Sequence, residues 1–181
     1  MCCRWALKKR GQACAYPFLI ACLLFGLFLC GRATSAAQVI GEAAELDRLI
    51  KRADEAIANG DPETASVSIG KAALMASILA ERTSTTDTTA LYKGAEALFR
   101  AQENGYRALA LFDQAGGRPP ASSSTCRLLA LATRHQRQAL EYLARSRPRN
   151  EDHRTFHQHL LTSAQEWTSI LPELRAELAC P

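Results

Sequence analysis

The sequence lacks the short motifs that mark the common classes of enzyme. It contains no GxSxG turn of serine hydrolases, no HExxH zinc motif and no GxGxxG dinucleotide-binding loop. Gly70-Lys71 is followed by Ala72 instead of Ser or Thr, which excludes a phosphate-binding P-loop. No CxxC or CxxCH is present, so neither a thioredoxin-like redox site nor covalently attached haem is indicated. We therefore expect a protein that is not an enzyme and that uses no cofactor.

Acidic residues are absent from the first 37 positions, which have a distinctive order instead. A basic head (Arg4, Lys8, Lys9, Arg10) precedes an apolar stretch over 13–30, and small residues follow over 33–37. These are the three parts of a secretory signal peptide. We expect residues 1–37 to be this signal, with cleavage near Ala36 or Ala37.

Two alternatives for this segment stay open. Residues 13–30 fall slightly short of the roughly 20 apolar residues of a membrane-spanning helix, and they include Pro17, but an uncleaved anchor is one alternative. The other is lipid attachment at Cys22, which ends a lipobox-like Leu19-Ile20-Ala21-Cys22. All three interpretations place the rest of the chain outside the cytoplasm, in a periplasmic or extracellular location with possible proximity to a membrane.

The remaining chain has no excess of positive charge. Five of the 22 basic residues precede the cleavage region and none of the 18 acidic residues does, which leaves 17 bases against 18 acids. Binding to nucleic acid would need a concentrated basic face. We therefore expect no nucleic-acid partner.

Cysteine is scarce after the signal segment. Five of the seven cysteines lie within the first 37 residues, and only Cys126 and Cys180 follow. Two cysteines in an exported protein are typical of one disulfide bond. We predict a Cys126–Cys180 bridge that joins the start of the fourth helix to the end of the fifth, with a bend at Pro172.

No alternating strand pattern of useful length occurs, and helical periodicity runs throughout residues 38–181. This pattern predicts an all-α, single-domain antiparallel bundle of about five helices arranged as hairpins. Asn104-Gly105 either breaks the third helix or lies within it, and Pro172 predicts a kink or a fresh start after Ser169. Asp87 is a candidate N-cap of the third helix.

The second predicted helix has an unusually wide apolar face. This face comprises Ile69, Ala72, Leu74, Ala76, Ile78 and Leu79. A helix that is apolar over most of its circumference is expected to contact more than one neighbour.

Two stretches resemble tetratricopeptide hairpins. Gly60-Asp61 followed by Ala65 and Ala72 is similar to the turn and second helix of that repeat, and "GYRALALFDQA" resembles the same second helix. The spacing of the two stretches exceeds the usual 34-residue period. The resemblance implies stacked hairpins with a groove for peptides or partner proteins, and it carries over no individual residue.

Histidines form one candidate metal site. His153 and His157 lie four residues apart, so they share one face of a helix, and a turn at 146–150 would bring His135 towards the same helix. Imidazole ligands suit zinc, copper or nickel. The alternative is that these are ordinary polar residues of a helix start and a helix edge.

Arginines crowd the same turn. Arg145, Arg147 and Arg149 would form a basic tip that could meet an anionic partner or lipid headgroups. The alternative is a solvated helix end.

Taken together, these observations favour an exported helical protein that binds another protein in an adaptor, assembly or transport role. The alternative is a bundle that binds a small ligand or a metal between its last two helices. The sequence leaves the oligomeric state open.

Overall fold

The computed structural model describes residues 41–181, and within this range the chain forms five α-helices and no strand. The helices are α1 (41–58), α2 (Pro62–Arg82), α3 (Thr86–Gln114), α4 (Ser123–Arg145) and α5 (Glu151–Glu177). Glu42–Pro181 is one compact unit. The predicted all-α bundle of five helices is confirmed, whereas the predicted signal segment, residues 1–37, lies outside the described residues.

Polar caps define where the helices begin. The Asp61 side chain accepts a hydrogen bond from the Thr64 amide at 2.9 Å, and Pro62 occupies the first helical position of α2. Ser122 and Asn150 cap α4 and α5 in the same way. The N-cap of α3 is Thr85, and not Asp87 as predicted. Asp87 lies in the first turn of α3, where its negative charge interacts favourably with the positive end of the helix dipole.

Helix α3 lies at the centre of the unit. It packs against α2, α4 and α5, and α4 also packs against α5. Small side chains fill the interface around α2, and fully buried leucines fill the other side of α3. The leucines include Leu91, Leu98, Leu129, Leu143 and Leu160. Close packing of this kind is the main source of a domain's stability.

Helix α3 does not break at Asn104-Gly105. It is continuous from Thr86 to Gln114, and Gly105 is buried inside it. The stretch "GYRALALFDQA" therefore lies within one long helix, and no turn precedes it as a tetratricopeptide hairpin would require. Similarly, α5 continues through Pro172 to Glu177, so no fresh start follows Ser169.

Cys126 and Cys180 form the predicted disulfide, with their Cα atoms 5.4 Å apart. The two residues meet because α4 and α5 differ little in length, at 23 and 27 residues, and because the chain turns after α5. That turn lies at Leu178 and Ala179, where Ala179 has a φ of 51°, and not at Pro172 as predicted. The Ala121 amide also donates to the Leu178 carbonyl at 2.9 Å, which closes the same junction.

Candidate partner-binding surface

Helix α2 is buried over most of its circumference. Its buried positions are Ala65, Ser66, Ser68, Ile69, Gly70, Ala72, Ala73, Ala76, Leu79 and Ala80. At 100° per residue these positions cover an arc of about 200°, slightly more than half of the helix circumference. The exposed residues of α2 all lie on the remaining side.

Three large apolar side chains lie on this exposed side, where a surface helix normally carries polar residues, next to the exposed charged residues Glu63, Lys71 and Glu81. Val67, Leu74 and Ile78 are 53%, 55% and 39% exposed. Single exposed apolar residues are common in proteins, but three aligned on one helix mark a candidate interface. We call Val67, Lys71, Leu74 and Ile78 the α2 stripe.

The spacing within the α2 stripe has a structural meaning. Its members lie four, three and four residues apart, the repeat by which one helix contacts another in a left-handed coiled coil. Over its length the stripe spans about 16 Å, at 1.5 Å per residue. Lys71, which is exposed, places one positive charge near the middle of the stripe.

A groove between α2 and α3 adjoins Val67. It has a volume of about 420 Å³, and Ser66, Val67, Ala110 and Leu111 contribute to its walls. Its polar edge consists of Glu63, Glu103, Arg107 and Gln114. The combination of an apolar strip with a polar edge is typical of a protein-binding surface.

Glu103, on the polar edge of the groove, lies against the backbone of α2 at Gly70. A Cβ atom built on Gly70 would lie 3.0 Å from the Glu103 carboxyl carbon, so the carboxylate can approach this closely only because Gly70 has no side chain. Arg100 donates to Glu103 at 2.8 Å and fixes its orientation.

The three candidate metal-binding histidines are not brought together. The His157 ring is 2.9 Å from the Leu143 carbonyl, and the His153 ring packs edge-on against Tyr92 with a centroid distance of 6.0 Å. His135 contacts Gln138 and lies eight residues before Leu143, which is about 12 Å along α4. Within residues 41–181, no three His, Cys, Asp or Glu side chains are placed to hold a metal ion.

The three arginines of the α4–α5 turn are all exposed, but they differ in their contacts. Arg147 donates to the carbonyls of Ala144 and Ser146 at 2.7 and 2.9 Å, so it closes the end of α4. Arg149 lines a 470 Å³ groove together with Asp87 and His153. Arg145 and Arg149 form no ion pair within the described residues.

A cluster at the junction of α1, α3 and α5 contains the groups with the clearest electrostatic perturbation. Burial, together with the negative charge of Asp54, raises the pKa of Tyr106 to about 12. Partial burial raises the pKa of the Asp54 carboxyl, and the charge of His159 opposes that rise. Tyr106 also packs edge-on against Trp167 at a centroid distance of 5.4 Å. These groups form no hydrogen bond to one another, and Asp54 and His159 are exposed.

Comparison with known proteins identifies no relative. No family model matches the chain, and neither a curated protein nor a solved structure matches it. The tetratricopeptide similarity therefore stays a resemblance in two short stretches. Among the described residues, no helix is both long enough and apolar enough to cross a membrane.

The sequence contained part of the signal for the α2 stripe. Leu74 and Ile78 belong to the wide apolar face of α2, which predicted contact with more than one neighbour. The structure places α1 and α3 against the remainder of α2 and leaves these two side chains exposed. Val67 could be assigned to the same strip only once the buried side of α2 was known.

Proposed function

We propose that the chain is an exported, non-enzymatic helical protein that binds a helix of another protein through the α2 stripe. The observation that carries the proposal is the exposure of three large apolar side chains, Val67, Leu74 and Ile78, on the solvent side of α2. Burying apolar area contributes about 25 cal/mol per Å² removed from water, so covering this strip favours association.

The stripe also defines the chemistry of the partner. Its four-three-four spacing fits an amphipathic helix that crosses α2 at the shallow angle of coiled coils. The positive charge of Lys71 already helps lower the pKa of the Glu45 carboxyl in α1. A partner carboxylate near Lys71 would keep this charge paired when the stripe is covered. A partner side chain enters the groove next to Val67, where Glu63 and Arg107 offer hydrogen bonds.

The adaptor, assembly or transport role follows from the same features. The sequence has no catalytic motif. Tyr106, whose pKa is raised to about 12, is packed against Trp167. Export is supported by the order of basic, apolar and small residues over positions 1–37. Sequencing of the N-terminus of the exported protein tests this part, and we expect it between Ala36 and Val39. Intact Met1 in the membrane fraction would contradict cleavage and indicate an anchor.

Partner binding is tested with Leu74→Glu and a matched control. Gln165→Glu adds the same charge at an exposed position of α5. After crosslinking in the producing cell, we expect the protein joined to the wild-type chain to be lost with Leu74→Glu and retained with Gln165→Glu. Both variants should keep the helical content and the melting temperature of the wild type, since both positions are exposed.

Two outcomes would contradict the proposal. If Leu74→Glu and Gln165→Glu crosslink equally well to the partner, the α2 stripe is not part of the interface. A mass by light scattering that changes from dimer to monomer with Leu74→Glu would instead assign the stripe to a second copy of this chain.

A further inference from the structure

Helix α4 presents a row of arginines to solvent. Arg127, Arg134, Arg137 and Arg145 are all exposed, and at 100° per residue they lie within about a quarter of the helix circumference. From Arg127 to Arg145 the row covers 18 residue steps, which is about 27 Å along the helix. We call these four residues the α4 arginine face.

The charges of this face are not neutralised within the domain. No carboxylate among the described residues is within ion-pairing distance of these four guanidinium groups. In contrast, α1 pairs Arg48 with Glu45 and Lys51 with Asp47. Residues 118–149 contain seven arginines and a single acid, Glu141. Glu141 is exposed on the same side of α4 as the arginine face, but within residues 41–181 it forms no ion pair with these arginines, and it offsets only one of the four charges. The nearly balanced charge that follows the signal segment therefore conceals a strongly basic region.

The geometry of the face decides which anion it fits. The four side chains are spread along one side of a helix, so they cannot converge on a single phosphate. They match a planar array of anionic groups, and guanidinium binds phosphate oxygens in a bidentate manner. The exposed side of α4 carries no exposed aromatic residue, since Tyr142 is half-buried, so it lacks the stacking platform typical of single-stranded nucleic acid binding.

We propose that the α4 arginine face binds the surface of a bilayer that contains anionic phospholipid. This inference rests on the proposed export: a signal formed by residues 1–37 carries the chain to a bilayer, so phospholipid headgroups are an anionic array that the exported domain meets. Helix α3 lies between α2 and α4, which do not contact each other. The α2 stripe is therefore left free for its protein partner while α4 faces the bilayer.

The test compares two variants of equal net charge. One replaces the four arginines of the face with Gln. The control replaces Arg48, Lys51, Arg52 and Arg154 with Gln, which removes four exposed bases from α1 and α5. Binding of the exported protein is measured by flotation with phosphatidylcholine vesicles, with and without phosphatidylglycerol, at low and at raised salt. The wild type should prefer the anionic vesicles, and raised salt should weaken that preference.

Each basic residue near an anionic surface contributes on the order of tenfold or less to the affinity. The face variant should therefore lose affinity for anionic vesicles on the order of 100-fold. The control should lose on the order of threefold or less. Arg147 is left unchanged because it closes α4 through two carbonyls. If the face variant shows a lowered melting temperature, Arg134→Gln with Arg137→Gln alone should give an intermediate loss.

Three results would overturn the proposal. Equal losses in the two variants would show that net charge, and not the α4 arginine face, drives binding. Equal affinity of the wild type for neutral and anionic vesicles would exclude the headgroup contact. Tighter binding to duplex DNA than to anionic vesicles, abolished in the face variant, would assign the face to nucleic acid.

Discussion

The Trp167 indole ring lies against Gly105, where a Cβ atom would come within 2.5 Å of ring atom Cζ3. This contact joins the middle of α3 to α5 and explains why a glycine stands inside a continuous helix. A glycine in a helix interior costs about 1 kcal/mol relative to alanine. Here that cost is offset by the burial of a large aromatic ring, which is 6% exposed.

Gly105→Ala should therefore destabilise the fold although alanine favours helix. Overpacking a core typically costs about 1–3 kcal/mol, and the gain in helix propensity recovers part of it, so we expect a net loss of about 1–2 kcal/mol in the free energy of unfolding. Gly41→Ala is the control, because a Cβ there meets nothing within 4 Å. Denaturant unfolding measures both variants.

A second substitution shows whether the indole ring causes the loss. In the Gly105→Ala background, Trp167→Phe should cost less than it does in the wild type, since the smaller ring relieves the clash. If the losses in free energy of unfolding caused by the two substitutions are additive, the contact between residue 105 and the indole ring is not the cause of the loss in Gly105→Ala.

The disulfide should stabilise the domain strongly. Cys126 and Cys180 are separated by 54 positions, and closing a loop of this length stabilises by about 4 kcal/mol in the chain-entropy model. Cys126→Ala with Cys180→Ala should lower the free energy of unfolding by about that amount, and reduction of the wild type should reproduce the loss. Thiol counting on unfolded, unreduced protein should find neither residue free. Two free thiols in material from an oxidising compartment would refute the bridge.

Stability should fall with rising pH in the alkaline range because of Tyr106. Burial and the Asp54 charge raise its pKa from 10.0 to about 12, so the folded state favours the neutral phenol. Between pH 10 and 12 the unfolded chain has released this proton and the folded chain has not. The resulting loss of stability is about 1.4 kcal/mol per pH unit.

Tyr106→Phe should remove the part of this dependence that comes from Tyr106 while keeping the ring against Trp167. The part that comes from Tyr92, whose pKa burial also raises, remains in both proteins. Below pH 10 the Phe variant and the wild type should share the same slope of stability against pH. If the slopes of stability against pH for the two proteins are also equal above pH 10, the pKa of the Tyr106 phenol in the folded state is not raised.

The number of helices was predictable because helical periodicity is a local signal, and the disulfide pairing was predictable because only two cysteines follow the signal segment. Asp61, Ser122 and Asn150 cap α2, α4 and α5 through hydrogen bonds that are themselves local. The continuity of α3 was not predictable, since the residue that covers Gly105 lies 62 positions away in α5. The turn at Ala179 was missed because its left-handed position holds Ala and not the usual Gly. The Cys180 amide closes this turn on the Arg175 carbonyl at 2.9 Å, and the junction with Ala121 and Cys126 adds to it.

The candidate surfaces were only partly predictable. The wide apolar face of α2 was visible, but its exposed strip depends on which sides α1 and α3 cover. The histidine spacing allowed a metal site, but helix packing directs His157 to the Leu143 carbonyl and His153 to Tyr92. The basic turn was recognised, but its continuation along α4 becomes clear only when the exposed side of that helix is known.

The central claim is that the α2 stripe contacts a helix of another protein. The most direct measurement is a scan in which a photo-crosslinking amino acid replaces each residue from 63 to 82 in turn in the producing cell. The account predicts crosslinks to one other protein at 67, 71, 74 and 78, weak or absent crosslinks between them, and attachment points on the partner spaced three or four residues apart. Crosslinks without this periodicity, crosslinks only to a second copy of the chain, or no crosslinks at these four positions would contradict it.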